Sequence, residues 1–158
     1  MSAASVDQIL AKISSTEDLY HRLILVVGPS GTGKTAALQT VAQLTGFRYV
    51  NINLELSRQL LDLTTRQRAL QVARLLDEIL AKEGPTTALL DNTEILFDVS
   101  LKQDPLRLLQ SLSRNRTLVA TWNGSLQNNY LTYGEPDHPE YKRYSASGLI
   151  TVALNGAT

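Results

Sequence analysis

The chain has no cysteine, one methionine and one tryptophan among its 158 residues, and no excess of either charge, with 15 Lys and Arg against 15 Asp and Glu. Without cysteine there is no disulfide scaffold, no cysteine-bound zinc finger and no thiol nucleophile, and the composition fits a reducing compartment. A balanced charge argues against a broadly electrostatic nucleic-acid binder, which would be basic. The balance is also local. Residues 1–80 carry eight basic and seven acidic side chains and residues 81–158 seven and eight, so there is neither a basic arm nor an acidic tail. No apolar run approaches the ~18 residues of a membrane span, and residues 1–10 lack the charged and apolar regions of a signal peptide. These absences point to a soluble, cytoplasmic chain, with residues 1–158 forming a single domain, no membrane contact and no sequence support for direct DNA binding.

What is present alternates between two periods. Residues 1–22 read as an N-terminal helical segment, with the helix over 5–20. Ser5 and Gln8 there have capping-box spacing, and Val6, Ile9, Leu10 and Ile13 share one face. The run Leu23 to Val27 is apolar without alternation, as in a strand buried on both sides. A helix over Ala36 to Leu44 is closed by Gly46, and Arg48 to Leu54 reads as a strand nearer the sheet edge. Residues 55–82 have helical period, restarted at Thr64 by a capping box with Gln67 and stopped at Gly84-Pro85. The apolar face of that segment combines Leu70, Ala73, Leu76 and Leu80 with Val72, Leu75 and Ile79. Strands follow at Thr86 to Leu90, Thr117 to Thr121 and Leu149 to Leu154. Ile95 to Phe97 is a short apolar extension, and Asp104-Pro105 opens a helix to about Leu112. Residues 124–147, rich in Gly, Asn, Pro and Tyr, read as a long surface loop with room for a short hairpin. About five strands alternating with helices predict an α/β fold of three layers around a five-stranded, mainly parallel sheet.

Gly28-Pro29-Ser30-Gly31-Thr32-Gly33-Lys34-Thr35 matches G-x-x-x-x-G-K-[ST] at every fixed position. The spacing has a physical reason. The glycines let the backbone curl until successive N–H groups point at phosphate oxygens, and the helix that follows offers its positive end to the same anion. In such a loop Lys34 reaches the terminal phosphates and Thr35 places its hydroxyl on Mg²⁺. The expected ligand is ATP or ADP, with Mg²⁺. The plainer alternative, an ordinary glycine turn, does not explain why the motif falls between a buried strand and a helix.

Thr87-Ala88-Leu89-Leu90-Asp91 is an apolar strand ending in a carboxylate, the form of a Walker B element, and Asp91 is the expected second metal residue beside Thr35. Alone it could equally be a capping aspartate. Hydrolysis needs a group that orients or deprotonates water. Many ATPases of this type place Glu directly after the aspartate, where this chain has Asn92. Glu94 is the nearest substitute and Glu55 the other, and the departure predicts slow turnover. Asn123 ends the strand Leu118 to Asn123. In AAA+ and RecA-like proteins a strand between the phosphate-loop strand and the metal-aspartate strand carries a polar sensor there, so Asn123 joins Lys34 and Glu94 as a catalytic candidate. Asn123-Gly124 is also a common hairpin pair. Trp122 reads as packing. Arg114, Arg116, Lys142 and Arg143 are candidates for an arginine acting on a neighbouring subunit's nucleotide, against the simpler account of surface cations covering apolar neighbours.

Several stretches go beyond generic motifs. Asn51 to Arg58, Leu90 to Phe97, Leu101 to Leu109, Ser113 to Arg116, Tyr130 to Tyr133 and His138 to Tyr141 together resemble the BrxF family of small P-loop proteins from type 3 BREX (bacteriophage exclusion) systems. The resemblance implies an AAA+-like switch in anti-phage defence that assembles with itself or with other BREX proteins. Five strands exhaust the core, which predicts an AAA+/RecA-like strand order with no separate lid domain. Two other classes fit the phosphate loop. One is a small nucleotide or metabolite kinase, although 124–147 lacks the repeated arginines of a kinase lid. The other is a structural module that holds ATP without cleaving it. The Asn-Lys-x-Asp motif of guanine readers is absent.

Overall fold

The computed structural model describes residues 3–81 and 86–154. Five strands form a parallel sheet in the order β2-β3-β4-β1-β7, from β1 (Leu23–Gly28), β2 (Arg48–Asn51), β3 (Thr87–Asp91), β4 (Thr117–Gln127) and β7 (Ile150–Ala153). Both faces are covered, and period 2 sorts the side chains between them. On β1, Leu23, Leu25 and Val27 join one core, while Ile24 and Val26 join the other. The first core lies under α3 (Ile52–Leu60), α4 (Thr65–Leu80) and α5 (Pro105–Leu112), through residues such as Leu56, Leu76 and Leu109. The second lies under α1 (Ala3–Ser15) and α2 (Lys34–Thr45), through Ile9, Leu38 and Val41. The three-layer α/β architecture is as expected.

Helix signals are realised by named contacts. The Thr64 hydroxyl accepts from the Gln67 amide at 3.1 Å while the Gln67 side chain accepts from the Thr64 amide at 2.9 Å, restarting the helix as α4. Asp104 caps α5, with Pro105 just inside it. Gly46 closes α2 at φ 78°, a left-handed conformation that favours glycine.

Five expectations are corrected. The sheet has seven strands rather than five, because half of 124–147 is strand. β4 runs on past Asn123, and β5 (Tyr130–Tyr133) and β6 (Lys142–Ser145) add an antiparallel extension to it. The segment is polar because one face of this small sheet is wet, while Leu126, Leu131, Tyr133 and Tyr144 pack on the core. Strand β2 ends at Asn51 rather than Leu54, because the Asn51 side chain accepts from the Leu54 amide and starts α3. Helix α1 begins at Ala3 and ends at Ser15, so Ser5 lies inside it rather than at its cap. Residues 93–97 form a 3₁₀ helix. Leu70 and Ala73 are exposed on α4, whose buried stripe is Val72, Leu75, Leu76, Ile79 and Leu80. The Gly84-Pro85 stop lies outside the described residues.

Candidate nucleotide site

The parallel sheet brings the ends of β1, β3 and β4 to one edge, where ligands of open α/β sheets bind. Between β1 and α2 the chain turns through Gly31 at φ 84° and Gly33 at φ 92°, both left-handed. Gly28 is constrained differently: a Cβ there would stand 2.3 Å from the Leu154 carbonyl oxygen and 2.7 Å from Thr32 Oγ1. The Thr32 hydroxyl donates to the Pro29 carbonyl at 2.8 Å, closing the turn on itself. The buried Lys34 ammonium donates to the carbonyls of Gly28 and Pro29, each at 2.7 Å. Burial holds its pKa below the ordinary lysine value of 10.5, although the nearby Glu94 and Asp91 carboxylates pull it the other way.

The acidic wall comes from β3. Asp91 is 3% exposed. Its Oδ2 accepts from Thr35 Oγ1 at 2.7 Å and from the Tyr49 hydroxyl at 2.5 Å, and its Oδ1 accepts from the Asn92 amide at 2.9 Å. The register explains the reach of Tyr49: β2 lies beside β3 with Tyr49 opposite Leu89 and Asn51 opposite Asp91. Burial and the hydrogen bond to Asp91 raise the Tyr49 pKa. Asn92 then adopts a left-handed backbone, φ 55° and ψ 52°, and the chain enters the 3₁₀ helix. The buried Thr93 hydroxyl donates to the Thr121 carbonyl of β4 at 2.5 Å, tying this turn to the neighbouring strand. With the turn fixed there, the Glu94 carboxylate accepts a hydrogen bond from the Asn123 amide.

The two walls enclose a cleft of about 220 Å³. Ser30, Gly31, Gly33, Lys34 and Thr35 line one side, and Asp91, Asn92, Glu94 and Asn123 the other. Gly28, Pro29 and Thr32 stand behind, shaping the loop and holding Lys34. The order β3-β4-β1 places the strand carrying Asn123 between those carrying Asp91 and the phosphate-type loop.

Other candidates stand elsewhere. Glu55 lies 3.7 Å from Arg58 on α3. Arg116 donates to the Leu112 carbonyl and to Asp77, Arg114 lies over the Tyr20 ring, and Arg143 over the Tyr130 ring. Lys142 pairs across the hairpin with Tyr133. None of them lines the cleft. Trp122 is fully buried, edge-on to Phe97, and donates from Nε1 to the Thr132 carbonyl at 3.0 Å. Sequence reading missed Tyr49 and Thr93. Tyr49 could have been found only with the β2–β3 register, and Thr93 only with the contact of its turn to β4.

With this geometry in hand, comparison with known proteins decides the family. The family described as "ATPase family associated with various cellular activities (AAA)" matches residues 24–113, more than half of the chain. The chain belongs to the AAA family. No curated protein matches it. Among solved structures, this AAA domain is similar to a DNA replication initiation factor, at 16% identity and a TM-score of 0.54, over 98% of this chain and 47% of that one. It is also similar to AMPPCP-bound DnaA from Aquifex aeolicus, at 15% identity and a TM-score of 0.54, over 96% and 46%. A third is the replication initiator DnaA bound to AMPPCP and single-stranded DNA, at 17% identity and a TM-score of 0.51, over 96% and 44%. At these identities the likeness is one of fold. The AAA chain spans less than half the length of each of these structures.

Proposed function

We propose that this AAA protein binds ATP with Mg²⁺ in the cleft between residues 30–35 and Asp91, Glu94 and Asn123, and hydrolyses it slowly. One observation carries the reading: five residues of the loop 28–35 converge on one cleft with Asp91 at the end of β3, Asn92 and Glu94 in the turn after it, and Asn123 of β4. The loop amides and the end of α2 offer positive potential to phosphate oxygens. Lys34 exchanges its two carbonyl contacts for the terminal phosphates. The metal donors fit: Thr35 Oγ1 and the Asp91 carboxylate are hard oxygens 2.7 Å apart. Among the described residues no cluster of three or more His, Cys, Asp or Glu could cage a metal, which suits an ion completed by phosphates and water. When bound, Mg²⁺ neutralises charge on the transferring phosphoryl group. Glu94 orients the attacking water and accepts its proton, and Asn123 aims the Glu94 carboxylate while reporting the terminal phosphate. In this assignment the acid lies three residues past Asp91, presented by the left-handed Asn92.

The similar DnaA structures carry AMPPCP, an ATP analogue, which supports nucleotide binding by this fold. On the resemblance to the BrxF family, the biological setting is a bacterial BREX anti-phage system, with nucleotide state controlling assembly of this domain with its own copies or with other defence proteins. The test is calorimetry with ATP and MgCl₂ on the wild type and on Lys34→Ala. Binding heat in the wild type that Lys34→Ala abolishes is expected; a folded wild type giving no heat with ATP, GTP or their diphosphates overturns the reading.

A further inference from the structure

A carboxylate offers about four acceptor sites. On Asp91 three are filled by the protein itself. Oδ2 takes both Thr35 Oγ1 and the Tyr49 hydroxyl, and Oδ1 takes the Asn92 amide. The threonine lines the cleft with Asp91, and the amide belongs to the next residue in the chain. Tyr49 is in neither position. It comes from β2, the edge strand of the parallel sheet, and reaches Asp91 along the face of the sheet that α2 covers. Its hydroxyl donates to Asp91 and also meets the Gln39 side chain, and its ring packs against the core beneath α1 and α2.

We propose that Tyr49 is a positioning residue for the metal: by filling the second site on Asp91 Oδ2 it fixes the carboxylate in one rotamer and leaves a single acceptor, on Oδ1, facing the cleft. Such a carboxylate would offer Mg²⁺, or one of the ion's waters, a single acceptor and would not chelate it with both oxygens. Mg²⁺ keeps several waters and demands near-octahedral geometry, so an aspartate with one free, rigidly aimed acceptor suits it. Partners that orient a metal-binding group without touching the metal change metal affinity by 10–100-fold when removed. This inference rests on the metal assignment above and extends it to β2, a strand that contributes no residue to the cleft lining.

The test uses the full chain, the non-hydrolysable analogue AMPPCP and a titration of MgCl₂, reading the melting temperature. In the wild type the AMPPCP-induced shift grows with Mg²⁺ and defines a midpoint. Tyr49→Phe deletes one oxygen and keeps the ring, and it is expected to raise that midpoint about 10-fold while leaving the shift by AMPPCP in EDTA unchanged. Tyr144→Phe is the control. It removes a similar tyrosine–aspartate hydrogen bond, 2.8 Å to Asp104, between residues that do not line the cleft; it should lower the melting temperature and leave the midpoint alone. A Tyr49→Phe midpoint within twofold of wild type, or an equal change in Tyr144→Phe, overturns the inference. A wild-type AMPPCP shift indifferent to Mg²⁺ overturns the metal assignment itself, a different failure that the same experiment identifies.

Discussion

The two walls of the cleft are built by opposite means. One is eight consecutive residues, 28–35, whose shape is set by two left-handed glycines and by contacts among the loop's own atoms. The other is assembled from Asp91, Glu94 and Asn123, which meet only because β3 and β4 pair in parallel register and Thr93 ties the turn to Thr121. A local wall is encoded as a motif. A non-local wall depends on sheet order and side-chain tethers, so it can fail while the first stays intact. In the proposed function the division runs between gripping phosphate and cleaving it.

The largest effect should come from breaking the local wall. Lys34→Met is expected to remove the thermal stabilisation given by saturating AMPPCP with Mg²⁺, about 2.7 kcal/mol at a hundred times the dissociation constant. A full shift in this variant would show that grip does not pass through residue 34. Next comes a break confined to the other wall. Glu94→Gln should lower ATP turnover about 10²-fold, the scale of general base catalysis, with the AMPPCP shift retained. Equal turnover in Glu94→Gln and wild type would return the protein to the class of non-hydrolysing modules. Thr93→Val removes the tether without touching the cleft lining. It should cost about 1 kcal/mol in chemical denaturation, as for one hydrogen bond, and lower turnover less than Glu94→Gln does; unchanged turnover would mean that Glu94 is placed without it.

The smallest and most selective effect is alkaline. Tyr133 stacks on Phe97, behind the non-local wall, and burial, with help from the Glu140 and Glu94 carboxylates, pushes its pKa up to about 12 from 10.0. The folded state therefore keeps this phenol protonated after the unfolded chain has lost the proton. The resulting stability is complete below pH 10.0 and disappears as pH rises to about 12. Tyr133→Phe should flatten that part of a stability–pH profile; an identical slope would remove Tyr133 from the account.

Legibility in the sequence follows the same division. The phosphate-type loop, the aspartate ending an apolar strand, the Thr64 and Asp104 caps and the alternation of strand and helix are short-range patterns, and each appears in the structure at its expected place. Strand β2 was read too long because Ile52 and Leu54 continue an apparent strand pattern, while Asn51 is in fact a helix cap. The β4–β5–β6 extension reads in the sequence as a loop with room for a short hairpin, because its turn residues, Asn128 and Asn129 among them with positive φ, mask the short strands. Glu94 and Asn123 were legible as candidates. Their meeting was not, since a hydrogen bond between residues 29 apart depends on which strands are neighbours. Tyr49 was invisible for the same reason.

Residue 28 has one further consequence. The loop opens where the Val27 carbonyl accepts from the Leu154 amide at 2.7 Å and where the Leu154 carbonyl fills the space a side chain at position 28 would need. The start of the loop and the end of β7 thus leave no room for a side chain at residue 28, and Gly28→Ala would have to displace one or the other.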